Sequence, residues 1–496
     1  MNFSELKGSD TMKKALSLSL ALLMFLSALV SCSEQPGTET EASASPDTNI
    51  SSDAAESETV NERLLIPDNL PDKKFDGESY DILWRGTFSP DYVYAEDLTG
   101  EVVNDAVHNR NISIEDRFDV TITSQAQDFD DITNFVVKAV NAGTTDYDTV
   151  YGHAVYTPQK IGQNLFVNLK DLEYIDFDQP WWNTSSNDIL TVNDVCFFAI
   201  GDSVLSSIGA SYGIIYDKLA IETNQLENPY EVTMNGKWTL DYVKKISEQI
   251  AKDLDGNGVM DSEDYYGYST TNGSPNNAYI WAFGLKIYSK NSTGDLEYTF
   301  FSERTVDCMN AITNLYVGSN PGIYVGEAMS MFRKQHTVFG TITLSQLTWL
   351  GDYENEYGVI PYPKYDELQE DYYSMADGWH SVLGVPNLPI NMEFAGLMIE
   401  AMCAETYKTV TPAYLDVCLK TRYSSSLEDA EMIDLCVRNC VFDFGYIYDG
   451  FNGISFLPQT LTKSNRTDFA SYYAKFEKVA LIHYNKMLDV FYNYEG

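Results

Sequence analysis

Predicted strands and helices alternate in the first part of the chain, and this alternation restricts it to an α/β fold. Residues 79–86 (SYDILWRG) form an apolar run typical of a buried strand, and residues 102–118 carry apolar side chains at helical spacing. An alternating strand at 119–124, a helix at 132–143 and another strand at 147–152 follow. This order predicts a layered sheet whose ligand sites lie at the carboxyl ends of the strands.

The length of the chain predicts two lobes of this kind. About 430 residues follow residue 65, which is too many for one ordinary hydrophobic core. The strand pattern continues at 196–202 (CFFAIGD) and 212–218 (YGIIYDK). A helix is expected over 239–251, with one apolar face formed by Leu240, Val243, Ile246 and Ile250.

Residues 1–31 have the features of a bacterial secretion signal. A basic stretch that begins at Met12, the expected start, precedes an apolar run at 15–30. The run ends in Leu-Val-Ser-Cys at 29–32, which resembles the lipobox in which a cysteine is diacylated and becomes the mature N-terminus. We therefore predict a signal peptide over 1–31 and a lipid on Cys32; an ordinary secretory cleavage site is the alternative.

The segment 32–64 is predicted to be a disordered acidic linker. Between residues 33 and 60 it contains seven acidic residues and no aromatic residue, lysine or arginine. Such a segment cannot bury enough apolar surface to offset the entropy lost on ordering. Because two acyl chains give stable anchoring, we expect a lipid-anchored protein on the extracellular face of the cell membrane.

Composition narrows the possible partners. A net charge of −41 argues against binding to nucleic acid and favours neutral or cationic ligands. Beyond Cys32 there are six cysteines without a C-x-x-C pair, and the five histidines show no zinc-site spacing. We interpret these cysteines as small buried apolar residues and expect a monomer.

An aspartate-rich stretch, AKDLDGNGVMDSEDYYGY, matches the twelve-position calcium loop. Ligand positions 1, 3, 5, 7 (a carbonyl), 9 and 12 are filled by Asp253, Asp255, Asn257, Val259, Asp261 and Asp264. Gly258 occupies the sharp turn at position 6. Position 12 is usually Glu, so the shorter Asp predicts weaker binding. A metal-free turn is the alternative, but four aspartates without a cation would repel one another.

The loop is predicted to hold structural Ca²⁺ and not to act as a sensor. A sensor needs a second helix that moves when calcium binds. Only the helix before the loop is expected, because residues 265–275 (YYGYSTTNGSP) are strand-like and rich in helix breakers.

Seven segments in order along the chain resemble the extracellular solute-binding lipoproteins of Gram-positive ABC importers, in the carbohydrate-type superfamily. They read GEVVNDAVHNRN, YDTVYGHAVY, DFDQPWWN, FFAIGDSVLSSIGASYGIIYDK, NPYEVTMNGKWTLDYVKKI, YGVIPYPKYDELQEDYYSM and AETYKTVTPAYLDVCLKTRY. The similarity runs from about residue 77 to about residue 455. It implies a two-lobed, periplasmic-binding-protein-like (Venus-flytrap) α/β fold that binds a ligand in its cleft without chemically changing it.

The resemblance also implies where the chain passes between lobes: near Asp202, back near Gly340 and again near Val410. A ligand that contacts both lobes favours the closed state, which the permease subunits of the transporter recognise. The implied boundaries are 77–203 plus 341–410 for lobe one and 204–340 plus 411–496, with the calcium-type loop 253–264, for lobe two.

A sugar has apolar C–H faces and many hydroxyls, so its site pairs aromatic rings with carboxylates and amides. Strand-end position and the resemblance together single out six candidate ligand-binding residues: Trp84, His153, Tyr156, Asp202, Trp281 and Trp379. Core packing is the alternative for each tryptophan. Trp181 and Trp182 are interpreted as structural, because consecutive residues are not expected to face one site, and Trp238 is interpreted as a packing anchor.

Two other functions stay open at this point. With 73 acidic residues, a secreted glycoside hydrolase that uses a carboxylate pair is compatible with the composition. A receptor for peptides is compatible with the acidic charge. The chain lacks a G-x-S-x-G motif, a zinc motif and a phosphate-binding loop, and the resemblance favours a carbohydrate receptor.

Overall fold

The computed structural model describes residues 61–86, 92–128, 131–318, 320–422, 426–449 and 453–495. The predicted signal peptide, Cys32 and most of the predicted linker therefore lie outside the described residues. The last part of that linker was predicted wrongly, because residues Glu62–Leu65 form a 3₁₀-helix. Arg63 stacks on the ring of Tyr407, and its guanidinium donates to the Tyr407 carbonyl, so the segment packs on the folded chain.

Thirteen strands and fifteen α-helices are seen within the described ranges. The strands are β1 Glu78–Trp84, β2 Val120–Ala126, β3 Thr149–His153, β4 Tyr212–Asp217, β5 Tyr266–Thr271, β6 Tyr288–Lys290, β7 Leu296–Tyr298, β8 Ile323–Gly326, β9 Thr337–Thr343, β10 Tyr357–Ile360, β11 Ser374–Met375, β12 Ser381–Gly384 and β13 Cys440–Val441. The helices are α1 Val102–Phe118, α2 Thr133–Ala142, α3 Thr184–Leu190, α4 Ser206–Gly209, α5 Lys218–Thr223, α6 Pro229–Met234, α7 Leu240–Ile250, α8 Tyr279–Ala282, α9 Glu303–Tyr316, α10 Ala328–Arg333, α11 Met392–Glu405, α12 Leu427–Arg438, α13 Phe444–Ile447, α14 Leu457–Lys463 and α15 Phe469–Tyr492.

Lobe one is built on a four-stranded sheet in the order β12-β3-β1-β2. The first three strands of the chain are parallel, and β12 is antiparallel to β3. The predicted strands and helices of this region are confirmed to within about two residues at their ends. Helix α1 ends where Asp119 adopts a left-handed conformation (φ 52°), and α2 ends at Gly143 (φ 64°), which adopts that conformation without strain.

Lobe two is built on a five-stranded mixed sheet in the order β10-β4-β9-β5-β8. Strands β5, β8 and β9 are parallel to one another, whereas β4 is antiparallel to β9 and β10. The predicted helix before the aspartate-rich loop is confirmed as α7, whose four predicted apolar residues are all buried. Strand β5 follows the loop directly, as predicted.

Two crossing segments run side by side between the lobes. Residues 199–211 pair with residues 376–383 through bridges between Ala199 and Leu383 and between Ser211 and Ala376. The expected return to lobe one near Gly340 is wrong. Gly340 pairs with Ile215 inside the second sheet, and the chain stays in that sheet as far as Ile360.

The last part of the chain contacts both lobes. Helix α11 packs into the core of lobe one and continues as π-helical turns through Arg422. Helix α12 then packs on β4 and β10 of lobe two. Helix α15 packs on α9 of lobe two and on the 3₁₀-helix Thr157–Gln163 of lobe one, so the assignment of 411–496 to lobe two alone is wrong.

The tryptophans interpreted as structural are buried. Trp238 donates its indole N–H to the Pro361 carbonyl at 2.9 Å. Trp181 and Trp182 are also buried, but both indoles donate to one carboxylate, Glu400, at 2.8 and 2.9 Å. The expectation that consecutive residues face different sites is therefore wrong here, because the turn that contains them directs both rings inward.

None of the six cysteines in the described ranges forms a disulfide. Four are buried as predicted, whereas Cys418 and Cys440 are only half-buried. Within the same ranges, none of the helices is both long and apolar enough to cross a membrane.

Candidate functional site

A cavity of about 530 Å³ lies where the second sheet meets the crossing segments. The parallel strands β5 and β9 end at Thr271 and Thr343 on its wall, and the antiparallel β4 begins there at Tyr212. The cavity thus occupies the carboxyl edge of the sheet, the usual ligand site of α/β folds. Its lining residues are Tyr92, Tyr212, Thr271, Ser274, Pro275, Thr341, Thr343, Ser345, Gln346, Thr348, Trp349, Asp377, Trp379 and Tyr414. We call it the cleft.

Five aromatic rings from different parts of the chain line the cleft. Tyr92 follows β1, Trp379 lies between β11 and β12, and Tyr414 lies in the π-helical segment after α11. The rings of Tyr92 and Tyr414 are 5.8 Å apart, and Trp349 is 55% exposed on the 3₁₀-helix Leu344–Leu350. An exposed indole beside a cavity offers the flat apolar face on which a sugar ring stacks.

Gly209 leaves room for two of these rings. A Cβ at this position would lie 2.6 Å from the Tyr414 hydroxyl and 3.7 Å from Cη2 of Trp379. The hydroxyl contact is too short for real atoms, so any side chain here would displace Tyr414. The absence of a side chain at Gly209 therefore helps to set the shape of the cleft wall.

Among the described lining residues of the cleft, Asp377 is the one that carries a carboxylate. Its Oδ1 accepts the Trp379 backbone N–H at 3.1 Å, and its Oδ2 accepts the hydroxyl of Tyr212. Burial, and then the charge of Asp377, raises the pKa of the Tyr212 hydroxyl well above its ordinary value, so this phenol stays protonated and donates. A carboxylate can accept about four hydrogen bonds, so Asp377 keeps capacity for ligand hydroxyls.

The remaining polar side chains of the wall are neutral. Thr341 donates its hydroxyl to Thr270 at 3.2 Å, and the Gln346 amide oxygen accepts the Thr343 backbone N–H at 2.8 Å. The second contact belongs to a capping box that begins the 3₁₀-helix Leu344–Leu350. These contacts hold hydroxyl and amide groups in place at the cavity, where they can exchange hydrogen bonds with a polar, uncharged ligand.

Of the six predicted ligand-binding residues, only Trp379 lines the cleft. Its carbonyl accepts the guanidinium of Arg85, a buried residue that follows β1 of lobe one. The Ala154 backbone N–H, just after β3, donates to the His380 carbonyl at 2.9 Å. The carboxyl ends of the lobe-one strands therefore support the segment that carries Trp379.

Trp84, His153 and Tyr156 do not line the cleft. Trp84 is half-buried and packs against the lobe-one core. His153 is buried against the Tyr156 ring at 4.3 Å, and its Nδ1 accepts the Val155 backbone N–H at 3.0 Å. Burial, and then the charge of Arg85, lowers the pKa of His153 well below its ordinary value, so the imidazole is neutral. Strand-end position placed these residues near the cleft, but packing turns them away from it.

Asp202 and Trp281 belong to other cavities that share no lining residue with the cleft. Asp202 accepts the Thr411 hydroxyl at 2.7 Å, and burial raises its pKa to about 7. Trp281 is buried and donates its indole N–H to Asp443 at 3.0 Å. Asp202 does not face the cleft, because the crossing segment turns between Asp202 and Tyr212. Trp281 lies on the short helix α8, all four residues of which are buried.

Sequence reasoning missed Asp377, Tyr92, Tyr212, Trp349 and Tyr414. Asp377 lies only two residues before the predicted Trp379, so its proximity was a usable signal. The tyrosines had no such signal, because the chain contains 35 of them and about half are buried in the described cores.

The aspartate-rich loop folds as a compact turn outside the cleft. Both oxygens of Asp253 accept backbone N–H groups, from Gly256 at 2.6 Å and Gly258 at 2.8 Å. Carboxylate oxygens of Asp253, Asp255 and Asp264 lie within 4.8 Å of one another, and Asp264 is fully buried. Convergence of hard oxygen donors fits Ca²⁺.

The other predicted ligands of the loop are used locally. The Asn257 amide oxygen accepts the Val259 backbone N–H at 2.6 Å, and Asp261 accepts the Glu263 backbone N–H at 2.9 Å. Calcium binding through the six predicted positions therefore stays a prediction, with three carboxylates already together.

No protein-family model matches the sequence, and no curated protein matches it. Solved structures do. A glycerophosphocholine-bound UgpB of Mycobacterium tuberculosis has a TM-score of 0.53 at 13% identity over 83% of this chain and 100% of its own. A cyclic α-maltosyl-1,6-maltose binding protein of Arthrobacter globiformis has a TM-score of 0.52 at 14% identity over 84% and 100%.

An ABC substrate-binding protein of Listeria monocytogenes in complex with cycloalternan has a TM-score of 0.50 at 12% identity over 81% of this chain and 100% of its own. At such low identities, the similarity establishes the fold and nothing more. The chain has the two-lobed α/β fold of ABC transporter solute-binding proteins.

Proposed function

We propose that this chain is an extracellular, membrane-anchored solute receptor that captures an oligosaccharide between its lobes and delivers it to an ABC permease. The observation that carries the proposal is the composition of the cleft. Five aromatic rings, one carboxylate and several fixed hydroxyl groups line it, the combination that a sugar's apolar faces and hydroxyls require.

The structural similarities support ligand binding over catalysis. One of the similar proteins was solved in complex with cycloalternan, another is a cyclic α-maltosyl-1,6-maltose binding protein, and the third was solved with glycerophosphocholine. A glycoside hydrolase would place two carboxylates about 5–9 Å apart across the bond that it cleaves. Asp377 is the one carboxylate among the described lining residues of the cleft. A single carboxylate supports a receptor that leaves its ligand unchanged.

Capture would work by a shift in population between open and closed arrangements of the lobes. The cleft wall combines β4, β5 and β9 of lobe two with Trp379 of the crossing segment and with Tyr92, which follows β1 of lobe one. A ligand that bridges these elements stabilises the closed arrangement by its differential affinity. The permease would then recognise the closed receptor.

The anchor and the calcium loop complete the proposal. Cys32 would carry the lipid, and metabolic labelling with a fatty acid should label the wild type and not Cys32→Ser. Ca²⁺ would be held by Asp253, Asp255 and Asp264 and would stabilise lobe two, because it neutralises carboxylates that the fold brings within 4.8 Å. No step of ligand capture depends on it.

A titration of the purified chain tests the function. Neutral trisaccharides of different linkage and short peptides are added while tryptophan fluorescence is followed, and the ligand is recovered afterwards and checked for turnover. Saturable binding of a trisaccharide without product is the expected result. Product formation would favour a hydrolase, and saturation by peptides alone would favour a peptide receptor.

A further inference from the structure

The cleft is asymmetric in charge. Its described lining residues include the carboxylate of Asp377 and no lysine, arginine or histidine. Receptors and enzymes that hold a ligand carboxylate or phosphate usually do so with arginine, lysine or clustered backbone N–H groups. The lining residues of the cleft present hydroxyl, amide and indole groups instead.

The basic side chains nearest the cleft, Arg85 and His380, form hydrogen bonds with protein atoms and do not line the cavity. The buried guanidinium of Arg85 donates to the Trp379 carbonyl and to the Ser381 hydroxyl. The imidazole of His380 is buried, its Nδ1 lies 2.7 Å from the Asp377 carbonyl, and burial lowers its pKa to about 4. It is therefore uncharged at neutral pH and supplies no positive charge to the cleft.

The carboxylate of Asp377 is fixed in position. It accepts the Tyr212 hydroxyl and the Trp379 N–H, and its own backbone N–H donates to the Ala210 carbonyl at 2.9 Å on the neighbouring crossing segment. A ligand stacked on Trp379 would therefore meet this negative charge in a constant place. A fixed acceptor of this kind favours hydroxyl donors and repels acidic groups.

We infer that the cleft selects its ligand by charge: it accepts uncharged oligosaccharides and rejects acidic ones, and Asp377 is the specificity-determining residue. This inference rests on the proposed function and deepens it. The physical basis is that an acidic sugar would bring a second negative charge into a cavity whose described walls offer no cation. An uncharged hydroxyl at the same place would donate to Asp377.

Matched sugars test the inference. Maltotriose, cellotriose and mannotriose are each compared with the same trisaccharide oxidised at C6 to the uronic acid, by calorimetric titration of the whole purified protein. We expect the neutral member of a bound pair to bind at least tenfold more tightly. Asp377→Asn keeps an acceptor oxygen for the Trp379 N–H. In this variant the difference in affinity between the neutral and the acidic trisaccharide should narrow to a few fold.

The variant Glu248→Gln separates Asp377 from the general negative charge of the protein, and a salt series tests whether the preference is electrostatic. Glu248→Gln removes the same charge from an exposed position outside the cleft and should leave the tenfold difference intact. For the wild type, the difference should shrink in 1 M salt, where the Debye length is about 3 Å. The salt dependence of the wild type tests the inference even where Asp377→Asn fails to fold.

Each outcome is decisive. A neutral preference that narrows in Asp377→Asn and not in Glu248→Gln supports the inference, and a preference that 1 M salt leaves unchanged in the wild type overturns it. Equal or tighter binding of the acidic member, a preference that folded Asp377→Asn leaves unchanged, or equal narrowing in Glu248→Gln overturns the inference and leaves the receptor function standing. Binding of neither member of any pair overturns the proposed function and this inference with it.

Discussion

A buried carboxylate should make the stability of this protein depend on pH. Glu400 is 1% exposed and accepts the indole N–H groups of Trp181 and Trp182. Burial raises its pKa from 4.5 to about 7, even though the two indole hydrogen bonds lower it. The native state therefore holds a proton on Glu400 at pH values where the unfolded chain has lost it.

The sign and size of the effect follow from linkage. Below pH 4.5 the carboxyl is protonated in both states, so its contribution is fully present there and is lost as the pH rises towards 7. A pKa difference between 4.5 and about 7 corresponds to about 3 kcal/mol of unfolding free energy. Burial raises the pKa of Asp148 and of Asp449 to about 7 as well, so these groups add a dependence of the same sign.

The assay is urea unfolding of the purified protein at several pH values between 4.5 and 8. In Glu400→Gln, which cannot ionise, the fall in stability across this range should be smaller than in the wild type by about 3 kcal/mol. Gln presents one oxygen and one NH₂ to two indole donors, so the variant should also lose about 1–3 kcal/mol at every pH. An unchanged pH dependence in Glu400→Gln would refute the reasoning, and exposed Glu248→Gln serves as the control.

Three further predictions concern the cleft and the calcium loop. Trp379→Ala should weaken sugar binding at least tenfold, about 1.4 kcal/mol, when affinity is measured by calorimetric titration. Asp202→Asn should leave the affinity unchanged. Equal effects of the two substitutions would contradict the placement of the site in the cleft. Gly209→Ala should weaken binding because its Cβ would lie 2.6 Å from a cleft tyrosine, whereas Gly351→Ala, which meets open space, should not. Chelation of Ca²⁺ should lower the melting temperature by a few degrees, because Ca²⁺ at 100 times its Kd stabilises the native state by about 2.7 kcal/mol. Asp253→Ala should abolish this response to the chelator. A melting curve that the chelator leaves unchanged would exclude bound Ca²⁺.

Local patterns predicted the elements of the fold well. The helix expected over 102–118 is Val102–Phe118, and the apolar face of the helix before the calcium-type loop is buried as predicted. Periodicity reports which face of an element is buried, so it succeeds wherever one face packs on a sheet. The order of strands within each sheet depends on contacts between distant segments, which periodicity does not report.

The site was harder to predict than the fold. Asp202 and Asp377 both lie on crossing segments beside the cleft, yet only Asp377 points into it. The direction of each side chain depends on how the two segments pair, through Ser211 with Ala376 and Ala210 with Asp377. Pairing between segments about 165 residues apart leaves no local pattern in the sequence.

Hydrogen exchange in the presence and absence of a bound neutral trisaccharide tests the central claim most directly. Ligand captured in the cleft should slow exchange in two separate stretches, residues 343–350 of lobe two and residues 374–381 of the crossing segment. It should leave the stretch around Asn439–Asp443, which lines the cavity beside Trp281, unchanged. Protection confined to that stretch, or to only one of the two expected stretches, would contradict capture in the cleft.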